Sequence, residues 1–598
     1  MNKYTYGELL YRFAKVRKIK KEELCEGICS VATLKRYENG TRNPSPFLFE
    51  LLMERMGIPE EELSLMVTES DYQYCVWKDA TLDVITIEDW ESVEKKIREA
   101  DTNEAYTDEP VKRQFYYYVK AVCEIHIYKR YEKAVEYLLL AISQTIPDIY
   151  QIERNEIIIG RTEAHYVTMY IYYKIYCGLI SKEDGKRYFY MMENYFSSSK
   201  IEKIERAKIY PKVICAGLNM LGSVIDKDEQ LRLCKKAMQL LKDTRTFYDI
   251  TEILRLYIPL LAEKDDSNLS YYQTQYEIFG EIYHYAGIEN VFRIEQIAAR
   301  KSNYYILNEL FYSKRKEKQY TQEYISEGIC EPETYSRIET GKHFPKNQKM
   351  QALAEKCGIN WCYYRGELDS YDFRVFRLRW HARIAGAECS WAEQLTIIKQ
   401  LEDLLEMDSV VNHQYVQKEK VWVQYQLQMI ETREALAKLQ EALTLTTHMD
   451  MTKQDLIYYS QTEFEIIAHI AKLMSRCGEH EKAIYMLETA LKQCEKGQIA
   501  FKYQLNGIFY IISILSDLYK ETEEYEAAIR AIEYVLKDYI KIRDGVYLSA
   551  LFFSLAQNYN CLGEQYKEQC QHLHRWATSM AEFYDNKYMS DLLKKTEY

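Results

Sequence analysis

"CEGICSVATLKRYENGTRNP" (Cys25–Pro44) and "SEGICEPETYSRIETGKHFP" (Ser326–Pro345) lie over each other without a gap. Glu26, Gly27, Ile28, Cys29, Arg36, Glu38, Gly40 and Pro44 all meet identical residues at a constant offset of 301. An offset that holds across both stretches points to a unit of about 300 residues, present twice and filling all 598 positions.

A chain of this length exceeds what one hydrophobic core can organise, so several domains are expected. With 47% hydrophobic and 28% charged residues the composition is that of a globular protein and excludes a disordered one. Only 9 Pro and 21 Gly interrupt it, which favours long helices joined by short polar loops over a strand-rich fold. The 56 Tyr suit helix seams, where a ring packs and its hydroxyl reaches solvent. The opening "MNKYTYGELLYRFAKVRK" has no apolar segment of signal-peptide length. The longest apolar run, "GIFYIISIL" (Gly507–Leu515), is a buried helix rather than a membrane span. The 15 Cys are scattered, odd in number and without a repeated CxxC, and read as reduced thiols of a cytoplasmic protein.

Net charge is −12 overall, yet the sign is uneven. Residues 1–43 hold ten Lys or Arg against five Glu, a net of +5, whereas residues 302–344 hold six against seven, a net of −1. A basic first module on an acidic body suits a nucleic-acid reader whose body avoids phosphates. Leu9, Leu10, Phe13 and Val16 predict a helix from about Tyr6 to Arg17, and "KKEEL" opens a second. Ser30 offers an N-cap hydroxyl to a third helix, "VATLKRYE", which Gly40 closes as C′ residue. An apolar helix, "FLFELLMERMG", and a fifth over "IPEEELSLM" (Ile58–Met66) complete a helix-turn-helix module.

The module resembles the Xre/Cro-repressor helix-turn-helix family, through "EEL" (Glu22–Leu24), "TLKRYENG" (Thr33–Gly40) and "RNPS" (Arg42–Ser45). The second copy resembles it through "RKEKQYTQEYI" (Arg315–Ile325), "TYSRIETG" (Thr334–Gly341) and Pro345. In both copies the turn before the third helix is one residue shorter than the usual family spacing. The resemblance implies that Leu34 and Tyr37 face the core, leaving Val31, Ala32, Thr33, Lys35 and Arg36 towards a DNA groove. Arg36 is the expected base reader, because its guanidinium fork fits a guanine edge, and Val31, Ala32 and Thr33 suit thymine methyls. Lys20, Lys21, Ser30, Thr41 and Arg42 are expected at backbone phosphates, with Glu38 structural. The second copy keeps Gln322, Thr334, Ser336, Arg337 and Lys342 at family positions. Its third helix, however, starts with Glu331, Pro332 and Glu333, which stabilise a helix N-terminus and oppose a phosphate.

Beyond each module a spacing x-x-A-x-x-x-L-x-x-A recurs. It appears in Arg130–Ile142 (Ala134, Leu138, Ala141), Thr432–Leu443 (Ala435, Leu439, Ala442), His480–Leu491 (Ala483, Leu487, Ala490) and Glu524–Leu536 (Ala528, Ile532, Val535). This is the second helix of a tetratricopeptide-like pair, in which small Ala lets helices approach. "LAQNYNCLGEQY" (Leu555–Tyr566) reads as a first helix, and between residues 150 and 300 hairpins follow from periodicity alone. The expected fold is all-α: two helix-turn-helix domains, at 1–68 and 301–369, each followed by a helical-repeat solenoid, at 69–300 and 370–598.

A head of this type followed by such repeats is similar to the Rgg/PlcR/PrgX group of bacterial regulators. The resemblance implies double-stranded DNA as one partner and a short signalling peptide, held in a concave groove of the repeats, as another. It also implies pairing through the repeats, here as an intramolecular pseudo-dimer or a homodimer. The family holds peptide backbone with Asn side chains, for which Asn219, Asn506, Asn558 and Asn560 are candidates by type and helical location. No GxxxxGK[ST], GxGxxG or HExxH occurs, and "CQHLH" puts only Cys570 and His574 on one helix face. No metal, cofactor or enzymatic activity is therefore expected. The competing class is a protein-interaction scaffold in which both modules serve assembly.

Overall fold

The computed structural model describes residues 6–59, 62–154, 156–197, 201–298, 303–343, 347–358, 367–447, 459–496 and 505–596. The first head consists of α1 (Tyr6–Val16), α2 (Lys21–Cys25), α3 (Val31–Glu38) and α4 (Pro46–Arg55). α1 buries Leu9, Leu10 and Phe13 along one stripe. Ser30 caps α3, its Oγ accepting from the Thr33 N–H at 3.1 Å, and Gly40 follows at φ +68°, where a Cβ is disfavoured. Ser45 caps α4 through the Leu48 N–H at 3.2 Å, and Pro46 stands in the first turn, where its missing N–H costs nothing.

The expected fifth helix is corrected. Ser64–Val67 form a strand, β1, which pairs in parallel with β2 (Asn303–Ile306), Ser64 opposite Asn303 and Val67 opposite Ile306. Leu65, Met66 and Val67 are all buried, as are Tyr304, Tyr305 and Ile306. A short apolar run enclosed on both faces is how a buried parallel strand reads, and its partner is supplied by the far side of the first solenoid. The second head repeats the four-helix order as Leu307–Glu317, Gln322–Ser326, Pro332–Glu339 and Asn347–Cys357. Pro345 lies outside the described residues.

Helical hairpins make up each body. The first runs from Glu69–Thr86 and Trp90–Thr102 to Ile250–Ala262 and Leu269–Tyr285; the second runs from Phe373–Ala387 and Trp391–Leu404 to Leu548–Leu562 and Lys567–Phe583. The repeat spacing is realised throughout: Ala134, Leu138, Ala435, Leu439, Ala483, Leu487 and Ala528 are fully enclosed on second helices of hairpins. The far ends of the two bodies meet each other. Thr246 and Asp544 form an antiparallel bridge, the Gly545 N–H donates to the Arg245 carbonyl at 2.7 Å, and Tyr584 Oη donates to the Thr246 carbonyl at 3.0 Å. Arg245 lies over Tyr584 and Arg543 over Tyr283, an exchange that relates the two ends by a local pseudo-twofold. Phe279 packs edge-on against Phe583 at 5.1 Å.

Candidate nucleic-acid interface and repeat grooves

On α3 the side chains divide as the helical period requires. Leu34 and Tyr37 are buried, Ala32, Lys35 and Arg36 are exposed, and Val31 and Thr33 are half-buried beside them. Among the described residues Lys35 and Arg36 have no carboxylate partner, so two cations stand on the outer face of α3. Arg42 is exposed and sits 5.8 Å from the Tyr37 ring, while Thr41 Oγ1 donates to the Arg36 carbonyl at 3.1 Å and closes the helix end. Lys20 is exposed at the start of α2, 3.0 Å from Glu23. Lys21 is different: it turns inward to an ion pair with Glu38, tying α2 to α3. Just before α3 the Cys25 and Cys29 thiols share a hydrogen bond that lowers the pKa of the first and raises that of the second.

The opposite face of this head is locked to the first body by one buried arginine. Arg55 Nε and Nη2 bind both Glu163 oxygens at 2.9 and 2.6 Å. Its remaining donors reach the carbonyls of Leu24 at 3.0 Å, Glu26 at 2.8 Å and Thr145 at 2.8 Å. The fork thus joins α2, α4 and two body helices, each donor satisfied in the absence of water. Beside it Glu54 receives Arg161 Nε at 2.8 Å and Thr162 Oγ1 at 2.9 Å at a body helix start. Gly27 closes the seam, since a Cβ there would stand 2.1 Å from the Thr145 carbonyl oxygen. The second body holds the other side of the head: Phe13 packs on Phe373 at 5.6 Å, and Arg17 and Arg377 share Glu202 at 2.7 and 2.9 Å.

In the second head the equivalent seam carries other contacts among the described residues. Lys356, which corresponds to Arg55, reaches the carbonyls of Tyr324 at 2.9 Å and Glu327 at 2.6 Å and is half-buried. A Cβ at Gly328, which corresponds to Gly27, would meet nothing within 4 Å. The equivalent helix start, at Thr462, is capped by Glu367 from the connector rather than by the head. On the reading helix Arg337 and Lys342 are exposed, as are Glu331 and Glu333, while Thr334 and Ser336 are half-buried. Gln322 donates to Glu339 at 2.7 Å, and Arg315 also binds Glu339 at 2.6 Å, so Gln322 serves the same inter-helix link as Lys21.

The four Asn candidates are not brought together. Asn219 is engaged by Glu252 at 2.6 Å and Arg255 at 2.7 Å. Asn558 is buried, donating to the Ser554 carbonyl at 2.9 Å, and Asn560 is exposed. Asn506 begins the helix Leu505–Glu521, and its side chain lies outside the described residues.

Two concave regions were not legible from motifs. In the second body a cavity of about 120 Å³ is walled by Trp380, Trp391, Trp422, Tyr510 and Tyr547, with Gln394 and His469 at its lining. Burial, aided by Lys418, pushes the His469 pKa down to about 3, so its ring is neutral. In the first body the corresponding surface carries residues 288–298 of the chain itself, centred on the buried Ile294 and Glu295. Three of the seven Trp at one cavity was the available sequence signal for the first region. For the second it was the non-helical stretch "ENVFRIEQIA" between repeats and head.

Among the described residues no helix is long and apolar enough to cross a membrane, and no cluster of three His, Cys, Asp or Glu is placed to hold a metal. A helix-turn-helix family model matches the chain twice, at residues 14–63 and 311–364. Both heads are thus helix-turn-helix domains of the Xre type, arranged in tandem. No curated protein matches the chain. Similar solved structures include PlcR of Bacillus thuringiensis with the peptide PapR7 and DNA, at 17% identity, covering 48% of this chain and 99% of that one, TM-score 0.33. ComR of S. thermophilus with DNA and its signalling peptide ComS is 13% identical over 48% of this chain and 97% of that one, TM-score 0.29. The SHP pheromone receptor Rgg2 of Streptococcus dysgalactiae is 13% identical over 48% of this chain and 99% of that one, TM-score 0.24.

Proposed function

We propose that this protein is a sequence-specific DNA-binding transcriptional regulator whose helical-repeat body senses a ligand, a short peptide by resemblance. The observation that carries the DNA-binding part is the outer face of α3, where Lys35 and Arg36 stand exposed and unpaired on a head whose other face is locked in place. In this reading Arg36 reads a base edge, Lys35, Val31, Ala32 and Thr33 line the groove, and Lys20, Ser30, Thr41 and Arg42 meet phosphates. Lys21 and Gln322 act on DNA through the α2–α3 geometry they hold. The two halves work as an intramolecular pseudo-dimer, supported by the paired ends at Thr246 and Asp544, and present non-identical heads to non-identical half-sites. The chain divides functionally at residues 68, 300 and 369.

The scaffold reading is favoured at one place, the second head, where Glu331 and Glu333 stand exposed at the start of the reading helix. Selection of bound sequences from a random DNA pool with the full chain separates the readings. Arg36→Ala is expected to weaken the selected site roughly tenfold to a hundredfold and to relax one base position. A two-part motif, with its other half lost in Arg337→Ala, would make both heads readers. A motif insensitive to Arg337→Ala makes the second head structural, and no enrichment at any salt concentration favours the scaffold.

A further inference from the structure

Residues 288–298 leave the last helix of the first body and run back over its concave face before reaching β2. They have no helical or strand partner of their own, yet Ile294 and Glu295 are buried. Side chains of the groove hold their backbone: Tyr118 Oη donates to the Glu295 carbonyl, His165 hydrogen-bonds the Glu295 backbone, and Lys212 Nζ donates to the Arg293 carbonyl at 3.0 Å. The Glu295 carboxylate receives Tyr173 Oη and lies 3.4 Å from His126 Nε2. This is recognition of a peptide by side chains, made here by the chain upon itself.

On the equivalent helices Pro110–His126 and Val410–Gln426, and Arg161–Tyr176 and Gln461–Arg476, the offset is 300, which maps Tyr118 onto Lys418 and His165 onto Glu465, and both counterparts line the second body's cavity. At these positions the first groove holds the Glu295 backbone, whereas the second lines a cavity. Among the described residues four buried polar atoms at that cavity lack a partner: Trp380 Nε1, Gln394 Oε1 and both ring nitrogens of His469. Buried unpaired groups of this kind cost free energy and mark a site completed by something else. The set offers an indole donor, an amide acceptor and, on a neutral imidazole, one of each. That is the complement of successive peptide N–H and C=O groups. The cations at the cavity are already matched, Arg379 with Glu62, Arg383 with Asp544 and Lys418 with Glu465, so the site does not call for an anion. Its aromatic walls suit apolar or aromatic side chains.

We infer that residues 291–298 are a tethered peptide ligand of the first groove, and that each chain takes one free ligand, an uncharged short peptide with an aromatic side chain, in the second-body cavity. The inference deepens the ligand-sensing part of the function proposed above and is independent of its DNA-reading part.

Two measurements on the full chain test it. In the first, calorimetry is run with an acetylated and amidated synthetic octapeptide of residues 291–298. Glu295→Ala, or the milder Glu295→Gln, is expected to loosen the tether and bind this peptide at one per chain, while the unmodified protein does not. Equal binding by both proteins, or by neither, overturns the tether. In the second, displayed random octapeptides are selected on the unmodified chain. Selected peptides are expected to carry an aromatic residue, to bind at one per chain and to weaken about tenfold with Trp380→Phe or Gln394→Leu. Two peptides per chain, affinity unchanged in both variants, or no enriched peptide overturns the second site. Failed DNA selection beside one-per-chain peptide binding would sink the regulator reading and leave this one standing.

Discussion

The two heads share a fold and a sequence signature but not an attachment. The first is fixed on two sides: to the first body by Arg55, Glu54 and Gly27 against Thr145, and to the second body by Phe13 and Arg17 against Phe373. The second is held by β2 and by the hydrogen bond of Tyr305 to the Tyr459 carbonyl, and among the described residues its seam has a lysine where the first head has the buried Arg55. A reading helix on a fixed head meets DNA with its orientation already determined. A head with a lysine in place of that arginine adds an orientation that binding must select, and the affinity it contributes is reduced accordingly. Duplication therefore preserved the reader's shape and changed its freedom.

Removing the lock should separate the heads most. Arg55→Ala would strand the Glu163 carboxylate and three carbonyls in the interior, and a loss of about 3–5 kcal/mol is expected in denaturant titrations. Lys356→Ala removes a half-buried amine from two carbonyls, with an expected cost below about 1 kcal/mol. Comparable losses would show that the second head is locked as well.

Glycine substitutions probe the same seam with no charge involved. Gly27 and Gly328 sit at φ +73° and +75°, so alanine strains both backbones by about 1 kcal/mol. Only at Gly27 does the new Cβ also collide with the Thr145 carbonyl. Gly27→Ala should cost about 3 kcal/mol or more, Gly328→Ala about 1 kcal/mol, read from thermal midpoints. Hydrogen exchange of α3 amides should rise in Gly27→Ala and remain unchanged in Gly328→Ala.

Acid should destabilise both bodies, because burial holds His165 of the first and His469 of the second below the ordinary histidine pKa. His469 has its folded pKa depressed, so the unfolded chain binds a proton more readily between about pH 6.5 and 3. Stability from the neutral ring is present above pH 6.5 and lost as pH falls, on the order of 2 kcal/mol by pH 5. His469→Gln should lessen that dependence and leave the part that His165 contributes. A ligand seated on the neutral ring should raise the whole curve without changing its slope, whereas a slope unchanged in His469→Gln would break the assignment of a buried neutral ring.

Much of the architecture was readable in advance because local chemistry writes it. Ser30 and Gly40 announce helix ends, Leu34 and Tyr37 a buried stripe, and the Ala–Leu–Ala spacing a helix pair, all interactions within a few residues. The outward placement of Lys35 and Arg36 followed from the same period. Arg55 carried a weaker signal, as the one cation in "FLFELLMERMG", but not the identity of its partner. The strand at Ser64–Val67 was misread because β pairing is set by a partner brought from residue 303 onward.

By itself the sequence determined that this protein is two copies of one helical plan, each a reading head followed by stacked hairpins, because offset, caps and periodicity are properties of short stretches. Only the tertiary structure decided that Arg55 is the buried lock of one head while Lys356 is half-buried on the other, that Lys21 faces Glu38 instead of solvent, and that one groove holds Glu295 while its counterpart, among the described residues, leaves Trp380 and His469 unpaired. Those outcomes depend on which distant groups meet once water is excluded. A buried arginine among carbonyls and a chain segment folded onto its own groove gain their energy from that exclusion, and local sequence does not record it.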